Sequence, residues 1–516
     1  MWTRSQPILS TILVLVFFAE PSSAEEPLSA IDWLSQSVAV PVALPVPPRP
    51  AEATDIAKGA LPEAVSVQTI DGPSQDAVGL LPVSVSGLPR DLWGPSLTDE
   101  VIGRLDANDQ DTLPALRQVL YRLLLAEVRP PVDSDQRGRL FLARVDRLLA
   151  MGALDQAQAL LEQAGPAQPD TFRRWLDVSL LLGNEDRACK TMVDLPAVSP
   201  TFPARIFCLV RGGQWDTAAL TLQTGRALGL ISPEEDALLS RFLDPELFEG
   251  KPLLPALAHP TPLGWRMMQA IGQPMATNAL PLAFAQADLQ PTSGWKSQIE
   301  AAERLTRSGA LPATRLFGLY TQGKPAASGG VWDRAAAVQA FDLSYRAADQ
   351  AALAQTLPVV WQKMEEAELE VAFAEIYGEG LAKLELKGTA GAAAFRIGLL
   401  SPAFEAVARA HVAASPEDAF LIGLATGNLA AAAPPDNMGA AIKTGFSEPA
   451  LAADIGSKIA ERRIGEVILQ ALVSISNGAS GDLAQVADGL AILRALGLEL
   501  DARQAALELM LLERRG

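Results

Sequence analysis

Apolar side chains recur at helical spacing through most of the chain from Thr112 onward. In the segment TLPALRQVLYRLLLAEV they fall three and four residues apart, which places them on one face of a helix. Pro130-Pro131 ends this helix, and the next is predicted from Arg139 to about Met151. The same pattern predicts helices from Trp295 to Arg307 and from Trp332 to Ala348. The sequence therefore predicts an all-α fold.

A short turn motif, Gly-x-x-Asp-x-Ala, recurs between predicted helices. Its first three copies begin at Gly152, Gly183 and Gly213, which are 31 and 30 residues apart. Gly is expected to end one helix in a left-handed conformation, and Asp to cap the next helix. Ala is small enough to let the two helices pack closely, and a regular period indicates a repeat array. The copies comprise Gly152, Asp155 and Ala157; Gly183, Asp186 and Ala188; Gly213, Asp216 and Ala218; and Gly330, Asp333 and Ala335.

The motif resembles the turn between the two helices of a tetratricopeptide repeat. In that family a large apolar residue follows the Ala four positions on, as Leu161 follows Ala157 and Met192 follows Ala188. The period here is shorter than the family's, which is about 34 residues, and the Trp-Leu-Gly start of its first helix is absent. The resemblance implies helical hairpins stacked into an α-solenoid that serves protein interaction.

The patterns divide the chain into five segments. Five prolines between Pro41 and Pro50 predict an extended or disordered stretch, and eight prolines between Pro245 and Pro291 interrupt any long helix there. Trp93, near the end of the first proline-rich stretch, is expected to dock onto the folded body or to form a recognition motif. The predicted segments are a signal peptide (1–24), a flexible tether (25–110), tetratricopeptide-like repeats (111–250), an irregular connection (251–296) and a second helical half (297–516).

The N-terminus has the features of a secretory signal. Arg4 precedes the apolar run from Ile8 to Ala19, which is too short to span a bilayer. Ser22-Ser23-Ala24 fits the small-x-small cleavage rule, so cleavage is expected after Ala24. No later apolar run is long enough to span a membrane. The mature protein is therefore predicted to be periplasmic or secreted.

The chain has two cysteines, in an export context where disulfides persist. Cys189 and Cys208 lie in consecutive predicted helices, and their midpoint falls inside the turn from Pro196 to Pro203. Two antiparallel helices joined by this turn would bring the cysteines level. We therefore predict a structural disulfide, with two buried free thiols as the alternative.

Charge and residue types narrow the possible functions. The net charge of −18 and the absence of a basic stripe argue against nucleic-acid binding. Only two histidines, His259 and His411, are present, and no metal-binding spacing occurs. The segment from Gly318 to Lys324 resembles a phosphate-binding loop, but Pro325 stands where that loop needs Ser or Thr. We therefore expect no catalytic residues, no metal and no cofactor.

These observations favour a non-enzymatic scaffold or adaptor of the cell envelope that binds another envelope protein or a peptide. Trp93, Trp215 and Trp332 are the candidate interaction residues. The alternative is an enzyme that acts on cell-wall polymer, or its accessory helical domain. Soluble lytic transglycosylases contain similar helical superhelices, but no Glu-Ser catalytic signature follows the repeats in this chain.

Overall fold

A computed structural model describes residues 74–108, 112–135, 137–447 and 451–512. These residues form α-helices, four short 3-10 turns and one isolated parallel bridge between Leu81 and Ala126. The prediction of an all-α fold is confirmed. The predicted signal peptide and the proline-rich stretch up to residue 73 lie outside the described residues. The α-helices are α1 (Val83–Ser86), α2 (Thr98–Asp106), α3 (Pro114–Leu125), α4 (Arg139–Ala150), α5 (Leu154–Ala164), α6 (Pro169–Leu182), α7 (Asp186–Asp194), α8 (Phe202–Arg211), α9 (Trp215–Ala227), α10 (Pro233–Leu243), α11 (Pro262–Ala270), α12 (Ala285–Asp288), α13 (Trp295–Arg307), α14 (Ala313–Thr321), α15 (Val331–Arg346), α16 (Gln350–Glu365), α17 (Glu370–Ala382), α18 (Gly388–Leu399), α19 (Phe404–Ala410), α20 (Pro416–Thr426), α21 (Asn437–Phe446), α22 (Ala453–Ala460), α23 (Ile464–Ala479), α24 (Leu483–Ala495) and α25 (Glu499–Leu511).

Neighbouring helices pack against each other from α4 to α11 and again from α12 to α20, as expected for stacked helical hairpins, and α11 and α12 both pack against α6. The last helices then return to the first ones, because α23 packs against α2 and α25 packs against α3. One continuous apolar core therefore extends from Leu88 to Leu512. The two helical halves belong to one array that closes on itself.

The end of the segment predicted as a tether takes part in the packing of the last helices against the first ones. Leu92 and Trp93 are 0% and 1% exposed, and the N–H of Gly465 donates to the carbonyl of Leu92 at 2.8 Å. Beside them, Arg104 forms an ion pair with Glu466 at 3.1 Å. The predicted tether boundary at residue 110 is therefore wrong, because residues 74–108 are folded onto the body. The ring of Trp93 is packed inside the protein and offers no interaction surface.

The repeat turns show which parts of the motif determine the structure. Gly152, Gly183 and Gly213 each have a φ of 74°, the left-handed conformation that favours Gly. The backbone N–H of the residue after each Gly donates to the carbonyl five residues before it, as the N–H of Ala153 does to the carbonyl of Leu148 at 2.9 Å. The small residue of the motif lies at a close helix contact in all four copies. Ala157, Ala188, Ala218 and Ala335 are each 0% exposed.

The predicted role of the Asp residues is wrong. None of the four accepts a cap hydrogen bond at its own helix, because each helix begins at or before the Asp. The carboxylates lie in the first helical turn, where they still favour the positive end of the helix dipole. The residues concerned are Asp155, Asp186, Asp216 and Asp333.

The copy at Gly330 is a different kind of turn. Gly330 has φ 56° and ψ −127° and lies at the N-cap of α15, nine residues after α14 ends at Thr321. Trp332 packs against Trp295, with 5.0 Å between ring centroids, whereas Trp215 is 49% exposed. The two tryptophans therefore occupy unrelated environments, and the second half only mimics the motif at this position.

The predicted irregular connection, residues 251–296, also contains helices. It holds α11 and α12, and α13 begins at its end. On α11, Trp265, Met267 and Met268 are buried against the rest of the array. The prolines interrupt long helices as expected, but Pro262 starts α11 because the first helical position needs no N–H donor.

Candidate functional site

The main candidate site is a cleft of about 300 Å³ beside helix α6. Three other helices, α8, α10 and α11, begin at its edge. Apolar side chains cover much of its wall, and polar groups lie at its rim and on α6. The residues that line it are Arg173, Leu176, Asp177, Pro200, Thr201, Pro203, Ala204, Ser232, Glu234, Glu235, Leu238, Leu257, His259, Thr261, Leu263, Gly264 and Met267.

Three helix N-termini meet at this cleft because three local sequences start helices there. Thr201, Ser232 and Thr261 are the N-caps of α8, α10 and α11, and all three line the cleft. Each side-chain oxygen accepts a backbone N–H of its own helix at 3.1 to 3.2 Å. The hydroxyl protons remain available to donate to a ligand. The positive ends of three helix dipoles therefore point toward one small volume.

Asp177 is the buried carboxylate of the cleft. It projects from the middle of α6, is 7% exposed, and its Oδ2 atom has no hydrogen-bond partner among the described residues. Burial raises the pKa of Asp177 to about 7, although the charges of Arg173 and Arg174 lower it. An acid in this state changes its charge near neutral pH.

The charged neighbours of Asp177 are arranged along and beside α6. Arg173 lies one helical turn before Asp177 and lines the same cleft. Arg174 points elsewhere and binds both oxygens of Asp146 on α4, at 2.6 and 2.7 Å. At the rim, Glu235 accepts the N–H of Ser232 at 2.9 Å and so completes the capping box of α10. Arg173 is therefore the cation on the cleft wall.

The disulfide supports one wall of the cleft. Cys189 on α7 and Cys208 on α8 form a disulfide with Sγ atoms 2.03 Å apart and Cα atoms 4.7 Å apart. The predicted pairing is therefore present in the structure. The loop that the disulfide closes contains Pro200, Thr201, Pro203 and Ala204, which line the cleft.

Sequence reasoning did not identify Arg173 or Asp177 as site residues. The stretch FRRWLDVSLLLGN reads as an ordinary amphipathic helix, and the only signal is an Asp next to a long apolar run. His259 lies in the segment before α11 and lines the cleft. His411 lies at the C-terminus of α19 and stacks on Phe395 with ring centroids 3.6 Å apart.

A second candidate surface is the exposed side of α9. This helix buries only Ala218, Leu222 and Gly225 and packs chiefly against α8 and α10. Three large apolar residues on it or directly after it face water. Their exposed fractions are 49% for Trp215, 68% for Leu220 and 61% for Leu228.

Two other sets of buried charges, at Glu303 and at Arg144, have partners within the fold and stabilise the packing. Arg334 donates to both oxygens of Glu303 at 2.6 and 2.7 Å, and the hydroxyl of Tyr320 donates to Glu303 at 2.7 Å. Arg144 is 0% exposed and donates to the carbonyls of Leu124 and Ala126 at 2.8 and 3.0 Å. These groups have partners within the fold and leave nothing for a ligand to satisfy.

Within the described ranges, no three His, Cys, Asp or Glu side chains lie close enough to share a metal ion. Among the described helices, none combines the length and the apolar character that a membrane span requires. The chain matches no known family profile, and neither the curated proteins nor the solved structures include a significant match.

Proposed function

We propose that this chain is an exported, non-enzymatic scaffold of the cell envelope that binds a partner protein through the exposed side of α9. The observation that carries the proposal is that three large apolar side chains on α9 or directly after it, Trp215, Leu220 and Leu228, are exposed. Large apolar side chains that stay exposed on a helix can contribute to a protein-binding surface, and Trp is enriched at the centres of such interfaces.

The repeat architecture supports this proposal. Stacked helical hairpins present extended surfaces for partners, and this is the use implied by the resemblance of the turns at Gly152, Gly183 and Gly213 to tetratricopeptide repeats. The signal-like N-terminus and the disulfide between Cys189 and Cys208 favour a periplasmic or secreted location. Partner binding outside the cytoplasm is therefore the function we propose.

In-cell crosslinking of a tagged protein, followed by mass spectrometry of the envelope fraction, tests the proposal. The double substitution Trp215→Ser and Leu220→Ser should abolish recovery of the partner that the wild-type chain captures. Leu343→Ser is the matched control, because Leu343 is 74% exposed on the distant helix α15. A partner recovered equally with all three proteins would place its binding site elsewhere and refute the role of α9.

The alternative function, an enzyme that acts on cell-wall polymer, has one observation in its favour. Asp177 has its pKa raised to about 7 and lies at a cleft, as is common for catalytic acids. Incubation of the purified protein with cell wall tests this directly. Hydrolysis products that disappear with Asp177→Asn would establish the enzyme and overturn the scaffold proposal.

A further inference from the structure

The third repeat leaves exposed a position that the two preceding repeats bury. The residue before the motif Asp is Leu154 in the first copy, Glu185 in the second and Trp215 in the third. Their exposed fractions are 0%, 1% and 49%. One side of α9 is therefore less covered than the equivalent sides of the two preceding repeats.

Asp216 lacks the ion pair that its counterpart in the preceding repeat forms. Asp186 accepts from the guanidinium of Arg211, 25 residues further on, at 2.9 Å. The residue at the same spacing after Asp216 is Arg241, but its guanidinium donates to the carbonyl of Pro252 at 2.7 Å. In the part of the chain that the structure describes, Asp216 forms no hydrogen bond and no ion pair. An arginine from outside this part would complete the pair.

The exposed residues at the start of α9 lie next to one another. Side chains three and four positions apart are neighbours on a helix surface. Ala219 is therefore a neighbour of Trp215 and of Asp216, and Leu220 is a neighbour of Asp216. All four are exposed, and we call them the α9 strip. The strip combines an apolar surface with one unpaired carboxylate, so it suits an apolar segment that carries one positive charge.

The run from Pro41 to Pro50, PVALPVPPRP, has this composition. It contains five prolines, four aliphatic residues and one charged residue, Arg49. Proline-rich segments bind exposed aromatic rings in the polyproline II conformation, because they lose little conformational entropy on binding. The guanidinium of Arg49 is the charge that Asp216 lacks, and guanidinium–carboxylate pairs form strong hydrogen bonds.

The chain between this run and the described residues is long enough to reach α9. Ser74 lies beside α4, since its hydroxyl oxygen is 2.9 Å from that of Ser134. The helices from α4 to α9 pack in succession, which places α9 roughly 50 Å away if neighbouring axes are about 10 Å apart. The residues from Arg49 to Ser74 can span about 80 Å when extended.

We propose that residues 41–50 bind back onto the α9 strip of the same chain and occupy it until a partner displaces them. The prolines and aliphatic side chains lie against Trp215 and Leu220, and Arg49 pairs with Asp216. A tether of this length holds the run at roughly millimolar effective concentration, whereas two chains with a net charge of −18 repel each other. The inference rests on the surface of the proposed function, but its test needs no partner.

Photo-crosslinking within the full chain tests the proposal. Benzoylphenylalanine in place of Gln223, an exposed residue one turn after Leu220, should crosslink to the peptide that contains residues 41–50. The same group in place of Leu343, which is 74% exposed on α15, is the matched control and should not. In a mixture of isotope-labelled and unlabelled chains, each crosslinked product should carry one isotope only. Absence of this crosslink, or products that mix the isotopes, would overturn the proposal.

Charge reversal tests the ion pair. Arg49→Glu should lower the crosslink yield about fivefold, as expected when an exposed ion pair is replaced by repulsion, and Asp216→Arg added to it should restore the yield. Lys58→Glu makes the same charge change outside the run and should leave the yield unchanged. An equal yield from Arg49→Glu and Lys58→Glu would refute the pairing of Arg49 with Asp216.

The inference and the proposed function can fail separately. A partner captured through Trp215 and Leu220 by a chain that gives no crosslink would refute the inference alone. A crosslink in a chain that captures no partner would support the inference and count against the proposed function.

Discussion

Replacing Asp177 with Asn should change how the stability of the free protein depends on pH. Asp177 is 7% exposed, and its Oδ2 atom has no hydrogen-bond partner in the part of the chain that the structure describes. The substitution keeps the shape of the side chain and removes its charge. The effect of the buried carboxylate can then be measured as a difference between two pH profiles.

The magnitude follows from the shift in pKa. Burial raises the pKa of Asp177 from 3.8 to about 7. The folded state therefore keeps its proton up to about pH 7, whereas the unfolded chain loses it near pH 4. The folded state binds more protons than the unfolded chain in this interval. The contribution of Asp177 to the free energy of unfolding is therefore greatest below pH 4 and falls as the pH rises to 7. The rise of the pKa from 3.8 to about 7 corresponds to about 4 kcal/mol.

Urea unfolding monitored by circular dichroism at pH 5 and at pH 8 measures this contribution of Asp177 to the free energy of unfolding. About two thirds of the interval between the two pKa values lies above pH 5. The free energy of unfolding of the wild-type chain should therefore be lower at pH 8 than at pH 5 by roughly 2.5 kcal/mol because of this carboxylate. Asp177→Asn should lack this loss, and Asp170→Asn, which changes an exposed carboxylate on the same helix, should behave like the wild type. Parallel pH profiles for the wild type and Asp177→Asn would refute the reasoning.

Two further predictions concern the packing of the array. Gly465→Ala should destabilise the fold by about 1–3 kcal/mol, because a Cβ there would lie 2.3 Å from the ring of Trp93. At Gly103 an added Cβ would meet no atom within 4 Å outside its chain neighbours and its own helix backbone, so Gly103→Ala should leave the midpoint of urea unfolding unchanged or raise it slightly. An equal response of both variants would contradict the close packing. Replacing Cys189 and Cys208 together with Ser should cost about 3 kcal/mol, because it opens a loop with a sequence separation of 19. An unchanged urea midpoint would show that the disulfide does not stabilise this fold.

Local patterns predicted the helices and the first three repeat turns well. The bounds of α13 match the predicted helix from Trp295 to Arg307, because apolar periodicity and helix propensity are properties of neighbouring residues. The left-handed conformations of Gly152, Gly183 and Gly213 follow from the same local rules, since only Gly adopts them without strain. The disulfide was also predictable, because one turn joins the two helices that carry it.

The predictions from sequence were wrong where one sequence pattern is compatible with two different structures. Gly330 fits the repeat motif but starts a helix after a loop, since the motif does not specify where the preceding helix ends. The proline pattern predicts a tether up to residue 110. In the structure, Trp93 lies against Gly465, 372 positions further along the chain. No local signal shows that such a contact exists.

The sequence by itself determined the helical class, the turns and the disulfide, because each depends on residues that are close in the chain. The tertiary structure decided that the array closes on itself and that three helix N-termini meet beside α6. It also decided the chemistry of Asp177, whose pKa depends on burial by helices from separate parts of the chain. Desolvation and packing are properties of the assembled core, and a single helix sequence does not encode them.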